Sequence, residues 1–313
     1  MRVRAPTPVL SRLVWYGRAA RLAFEDPVEA FDRAMLRLVR RRDSGAEPVE
    51  PESAWERHLH ALMGVSWPCL ACAGFETVYS AAMELLKAQD LAVGRGAFGG
   101  WDDADPAFAR AVWCLTVHLQ PRKVVETGVA RGVTTRVILE ALGRERSEHL
   151  WSIDRPPLDR KLHAEIGAAV PESLRRGRWT LMRGTSRRVL PGLLRRIAPI
   201  DLFVHDSLHT ERNLRFELTR AWGAMNGAGA LVADDVERSS AFVRFVDDSP
   251  PLEAVIASAD DCRTLFGVAL PRATPFSGRA RGRAVSDGQC SRRPAVVLTA
   301  ESRLGRGSTR APA

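Results

Sequence analysis

From Pro106 to Leu270 short apolar runs alternate with amphipathic stretches, and this alternation restricts the fold more than any other feature of the chain. KVVET (123–127), HLWSID (149–154), WTLMR (179–183), DLFVHD (201–206) and GALVADD (229–235) have the length and β-branched content of strands. Between and after them the period is helical: 134–142, 158–169, 186–197, 210–225 and 239–246, with Pro191 set to bend or interrupt the third. A helix over 107–119 precedes the first strand. Strands that alternate with helices pair in parallel and carry helices on both faces. Two further runs, 252–258 and 263–270, have no helix between them and imply a closing antiparallel pair. The expected fold class is therefore α/β, a doubly wound seven-stranded sheet, parallel with an antiparallel last strand.

The flanks have a different composition. Residues 1–45 are arginine-rich, with Leu10, Leu13, Val14, Phe31, Met35 and Leu38 at helical spacing, and predict one or two helices that pack on the protein or form a homo-oligomer. AEPVEP (46–51) is a linker by composition, 52–92 is helical, and the glycine-rich stretch 94–105 is placed to act as a lid. Beyond Leu270 the chain turns to Gly, Pro, Ser and Arg, which predicts disorder. The expected organisation is a basic helical segment (1–45), a helical region with the lid (46–105), the α/β domain (106–270) and a disordered basic tail (271–313).

A net charge of +9 invites a nucleic-acid reading until it is divided. The tail from Pro271 carries +7 and the first 45 residues +5, so the body between them is slightly acidic at −3. Nucleic-acid-binding folds carry their basic stripe on the folded body, and no nucleic-acid partner is expected. Nothing approaches the roughly 18 consecutive apolar residues of a membrane span. Arg12, Arg18 and Arg21 interrupt the first apolar stretch, so neither a transmembrane segment nor a secretory leader is expected, and the expected location is the cytoplasm. Five cysteines make no disulfide framework. Cys69 and Cys72 form a C-x-x-C that could complete a zinc site by residue type with His58 and His60. The preferred reading is small apolar cysteines packed among helices.

In an open α/β sheet the ligand lies beyond the carboxyl ends of the strands. The first strand ends in VVETGVARGVTT, where Gly128 and Gly132 allow a tight turn into a helix N-terminus. The spacing is not that of a dinucleotide loop: position 130 is Ala, and Glu126 would repel a diphosphate. An ammonium-bearing, phosphate-free cofactor suits this loop, namely S-adenosylmethionine. Asp154, at the end of the second strand, is placed to accept hydrogen bonds from both ribose hydroxyls.

On VVETGVARGVTT, WSID, RGTS and IDLFVHDSLHTERNLRFELTRAWGAMNGAGALVADDV, residues 105–270 resemble the class I S-adenosylmethionine-dependent methyltransferases. Within them the chain looks most like the bacterial small-molecule and sugar O-methyltransferases, many of them magnesium-dependent. The resemblance implies a Rossmann-like sheet. It also implies cofactor contacts from Glu126, Gly128, Gly132, Thr134, Asp154 and Asp206, with Thr185 or Ser186 beside the adenine.

The fourth strand ends in Asp206-Ser207-Leu208-His209 and the fifth in Asp234-Asp235. Carboxylate clusters suit hard cations such as Mg²⁺, so Asp206, Asp234 and Asp235 are the expected metal ligands and His209 the expected general base. The resemblance supports the pairing of Asp206 with His209, and departs at Asp234, where the family commonly has the longer Glu. His118 and His205 are expected to be structural, and His149 and His163 to lie on the surface. The expected activity is methylation of a hydroxyl on a small-molecule acceptor, a sugar or natural product. The alternatives are a metal-independent enzyme acting on RNA or protein, or a cofactor-binding protein that has lost catalysis.

Overall fold

The computed structural model describes residues 8–40, 49–142, 148–249, 252–260 and 262–271. Its strands are β1 (Lys123–Thr127), β2 (His149–Asp154), β3 (Trp179–Arg183), β4 (Ile200–His205), β5 (Met225–Ala233), β6 (Leu252–Ser258) and β7 (Leu265–Pro271). They form one sheet in the order β3-β2-β1-β4-β5-β7-β6. β7 runs antiparallel to both of its neighbours and the other pairings are parallel. This is the expected α/β class, with the strand order reversing between β1 and β4.

Helices α1 (Pro8–Glu25), α2 (Pro27–Arg40), α3 (Trp55–Leu62) and α4 (Cys72–Lys87) precede the sheet. α5 (Pro106–Leu119), α6 (Val133–Ala141), α7 (Glu172–Arg175), α8 (Ser186–Ile197), α9 (Glu211–Trp222) and α10 (Ala241–Asp247) follow in chain order. α5 shows how local sequence sets such bounds. Asp105 caps it by accepting from the Ala107 and Phe108 amides, Pro106 opens it, and Gln120, left-handed at φ 45°, closes it.

Alternation along the strands divides the core between two faces. Val124, Leu150, Leu202, Val204 and Val232 pack with Phe108, Val112, Leu115 and Ile138 on one face. Val125, Ile153, Phe203 and Leu231 pack with Leu190, Leu194, Leu214 and Phe242 on the other. Each fully buried side chain of this kind contributes about 1.5–3 kcal/mol. α3 shares the first face through Leu59 and through Trp55, which meets Phe266 edge-on at 5.2 Å.

Several expected bounds shift. The helix over 158–169 shrinks to a 3₁₀ turn at Arg160–Ala164, because Pro156 and Pro157 precede it and Gly167 takes φ 74°. The helix expected to reach 225 stops at Trp222, and β5 starts at Met225. β5 also stops two residues early, since Asp235 adopts a left-handed φ of 53° that no strand continues. α8 runs through Pro191.

α1 and α2 dock on the loop after β2 and on α8 through polar contacts. Arg18 pairs with Asp159 at 2.8 Å, Arg160 with Glu25 at 2.5 Å and Arg188 with Asp26 at 3.2 Å, while Arg33 donates to the Pro156 carbonyl. Tyr16, Phe24, Val28 and Phe31 on these helices are exposed. No helix among the described residues is long and apolar enough to cross a membrane. The expected disordered tail lies outside the described residues, apart from Pro271.

Candidate active site

Register brings the site together. Thr127 pairs with Ile153 and with His205, and His205 pairs with Ala233. The next residue of each strand, namely Gly128, Asp154, Asp206 and Asp234, therefore emerges side by side at the carboxyl edge. The backbone ladder continues through them: Gly128 N–H donates to Ile153, Asp206 N–H to Thr127 and Asp234 N–H to His205, at 2.9, 2.7 and 2.9 Å.

Gly128 is obligatory here. Its φ is 88°, and a Cβ would fall 1.7 Å from the Asp206 carbonyl oxygen. Gly132 begins α6 at φ 81°, with the Gly167 Cα 2.9 Å from where a Cβ would stand. Asp154 accepts from the Val129 amide through Oδ1, and burial raises its pKa. Its Oδ2 and the Thr134 Oγ1 are buried without a partner. Buried polar atoms are rarely left unpaired, so this rim fits a polar ligand such as the ribose of S-adenosylmethionine.

Glu126, expected to contact the cofactor from the end of β1, does not lie exposed at the edge. It is fully buried, because its side chain alternates away from the edge, and its Oε2 accepts from Thr135 at 2.8 Å and Ser152 at 2.6 Å. Burial raises its pKa to about 7 despite those two bonds. Thr185 precedes α8 and is buried, while the Ser186 hydroxyl turns inward, 3.5 Å from Asn213 Oδ1.

Asp206, His209 and Asp234 each offer a ligand atom within 4.8 Å of the others. His209 Nδ1 lies 3.3 Å from the Asp234 carbonyl, to which it can donate only as Nδ1–H, so its Nε2 carries the lone pair. Nε2 stands 3.5 Å from Asp235 Oδ2 and 3.9 Å from Asp206 Oδ1. Burial, with His205 and Arg238 nearby, lowers the His209 pKa to about 3, so the ring is neutral at neutral pH. Burial and mutual repulsion push the Asp206 and Asp234 carboxyls well above the ordinary range. Two crowded acids and a neutral imidazole are a donor set that a divalent cation would relieve. Asp235, expected among the ligands, falls outside that set. Its left-handed backbone turns its carboxylate to Arg238 at 2.8 Å, and burial raises its pKa to about 6.

Beneath the edge lies a buried network that the sequence did not disclose. Glu217 accepts from His205 Nδ1 (2.6 Å), Thr127 (2.5 Å), Ser207 (2.8 Å) and Asn213 (2.8 Å). Burial alone would raise Glu217, but His205, Ser186 and Thr127 outweigh it and hold the acid at about 2. The His205 ring stands edge-on to that of His209, centroids 5.5 Å apart. Its signal was the acid at 217 among the apolar residues Leu214, Leu218 and Ala221 of α9.

Arg131 was also missed. It pairs with Glu165 at 2.7 Å, donates to the Ala92 and Ala97 carbonyls and lies over the Phe98 ring. It thus fastens the start of the glycine-rich stretch to the loop after β1. Its motif position, between Gly128 and Gly132, was a possible cue.

The other histidines divide. His205 is fully buried, the half-buried His163 donates through Nε2 to the Pro157 carbonyl at 2.8 Å, and His149 is half-buried against Thr180. His58 pairs with Glu52, away from the cysteines, whereas His60 and His118 both face Cys69. The Cys72 side chain lies outside the described residues.

Residues 125–236 match the family model described as a methyltransferase domain. A search of curated proteins finds no match. Among solved structures, the chain is similar to an O-methyltransferase from Bacillus cereus in complex with SAH, at 13% identity and TM-score 0.49, covering 69% of this chain and 98% of that one. It is similar to the O-methyltransferase TomG from Streptomyces achromogenes, involved in tomaymycin synthesis, at 18% and 0.48, covering 63% and 90%. A methyltransferase from Geobacter sulfurreducens matches at 17% and 0.44, covering 73% and 100%.

Proposed function

We propose that the chain is a class I S-adenosylmethionine-dependent methyltransferase that methylates a hydroxyl oxygen of a small molecule, a sugar or natural product; the methyltransferase-domain match over 125–236 and the sheet order support this reading. In this reading a divalent cation sits at Asp206 and Asp234, and His209 is the general base. The observation that carries it is the His209 Nε2 lone pair, neutral and aimed among the carboxylates where adjacent strands end.

Bound S-adenosylmethionine supplies a methyl group activated by its sulfonium. A bound divalent cation supplies positive charge that acidifies a nearby hydroxyl. The chain does the rest. Asp154 receives the ribose hydroxyls on its free Oδ2, the Gly128 turn leaves room for the cofactor's approach, and Glu126 braces the loop from below through Thr135 and Ser152. His209, held by the Asp234 carbonyl, takes the acceptor's proton on Nε2, and the Asp206 and Asp235 carboxylates balance the imidazolium that results. The acidic body of the chain favours a small acceptor over RNA.

A second reading makes His209 the third cation ligand, since its Nε2 belongs to the same donor cluster. One assay separates the two. Labelled S-adenosylmethionine is offered with a panel of sugars and phenols, and the methyl ether is detected by mass spectrometry across a Mg²⁺ and Mn²⁺ titration. EDTA should abolish turnover and added ion restore it. With His209 as base, His209→Ala stays slow at saturating ion; with His209 as ligand, more ion rescues it. Full turnover in EDTA would remove the cation from the reading.

A further inference from the structure

We propose that His60, Cys69 and His118 form a zinc site, separate from the sheet edge. Three segments meet there: the end of α3, the connection after it, and the last turn of α5. The His60 and His118 Nε2 atoms stand 3.1 and 3.4 Å from the single Cys69 sulfur, and the three donor atoms lie within 4.8 Å of one another. A tetrahedral zinc with Zn–S of about 2.3 Å and Zn–N of about 2.05 Å would separate sulfur from nitrogen by roughly 3.6 Å. The donors already stand close to that spacing.

The tautomer is set for ligation. His60 Nδ1 lies 2.6 Å from the Glu56 carbonyl and must donate to it, which leaves the lone pair on Nε2, facing the sulfur. A zinc-bound histidine commonly has such a carbonyl partner on its other nitrogen. His60 is fully buried and packed against the Trp67 ring at 4.7 Å. The His60 and His118 rings cross at 5.2 Å. Without an ion, one thiol proton serves only one of two imidazoles. With one, the thiolate and both lone pairs are used together.

The donor chemistry selects the metal. A soft thiolate with two imidazoles suits zinc, whereas carboxylates suit Mg²⁺. Three protein donors, with water in the fourth position, are an established zinc set. His118 lies at the end of α5 that leads into the amino end of β1, and the carboxyl edge with Asp206 is at the other end of that strand. The role is to tie α3 and its following connection to α5.

The test uses the untagged full-length chain, saturated with zinc and dialysed against metal-free buffer, with metal measured by atomic emission. A single zinc should be retained per chain. Replacement by Co²⁺ should give a thiolate-to-cobalt charge-transfer band, which the carboxylate-imidazole edge cannot produce. Cys69→Ser should lose the band, His118→Ala should weaken zinc binding at least tenfold, and Asp234→Asn should keep both. Should Cys69→Ser not fold, zinc protection of Cys69 from alkylation in the wild-type chain, read by peptide mass spectrometry, replaces it. A wild-type chain that retains no zinc, a band that survives Cys69→Ser, or Cys69 alkylated equally with and without zinc would overturn the proposal.

Discussion

Asp206, His209 and Asp234 differ from His60, Cys69 and His118 in how the chain brings them together. The first set comes from neighbouring strand ends, where parallel register alone sets the residues side by side. The second comes from a helix, a connection and another helix turn, and only packing relates them. Their electrostatics differ as well. At the strand ends burial and mutual repulsion push two carboxyls upward, a cost that a positive charge there would relieve. In the second set burial lowers His118, and two imidazoles face one sulfur. A register-built cluster thus gathers carboxyls from neighbouring strand ends, while the packing-built one gathers soft donors from separate helices.

The strongest way to break this contrast is His209→Ala. Loss of a general base should cut kcat by about 10²–10⁴-fold at saturating ion, measured by steady-state kinetics. Wild-type kcat would reduce the edge to a merely structural cluster.

Next is the network beneath it. Glu217→Ala leaves three buried donors and the half-buried Ser207 facing a void, and breaking a buried pair costs about 3–5 kcal/mol, read by urea unfolding. The pH sign is fixed by the depressed acid. Glu217 stabilises above its ordinary value of 4.5, and that contribution is lost as pH falls toward about 2.

Glu126 has the opposite sign. Its folded pKa of about 7 exceeds the ordinary 4.5, so between these values the unfolded chain ionises first and stability falls as pH rises. The span corresponds to roughly 3 kcal/mol. Glu126→Gln should abolish that decline, making the variant more stable than wild type at pH 8 while leaving the two similar at pH 4.5 in chemical unfolding.

A smaller effect sharpens the edge itself. Asp235→Asn, removing a partner outside the donor cluster, should raise the half-saturating cation concentration by about 10–100-fold, and Asp234→Asn by more. The reverse order would restore Asp235 as the ligand. The smallest effect is expected at the docked helices. Arg188→Ala removes an exposed pair with Asp26 and should cost no more than about 1 kcal/mol in the same unfolding measurement.

Strand and helix periods are local properties, and so the α/β class, the order of elements and the Gly128 turn were legible from residues close in sequence. With the sheet in hand, the approach of Asp154, Asp206 and Asp234 followed, because parallel strands deliver their carboxyl ends to one edge. What tertiary structure alone decided was where side chains point and what they meet. The turn at Asp235 hands its carboxylate to Arg238, which a run of two aspartates does not reveal. Glu126 looked like an edge residue, yet alternation buries it beneath Ser152 and Thr135. Glu217 finds His205, and Cys69 finds His118, across separations of 12 and 49 residues that carry no periodic signal. Backbone periodicity is written in neighbouring residues, whereas the partner of a buried polar group is chosen by the packing of segments distant in the chain.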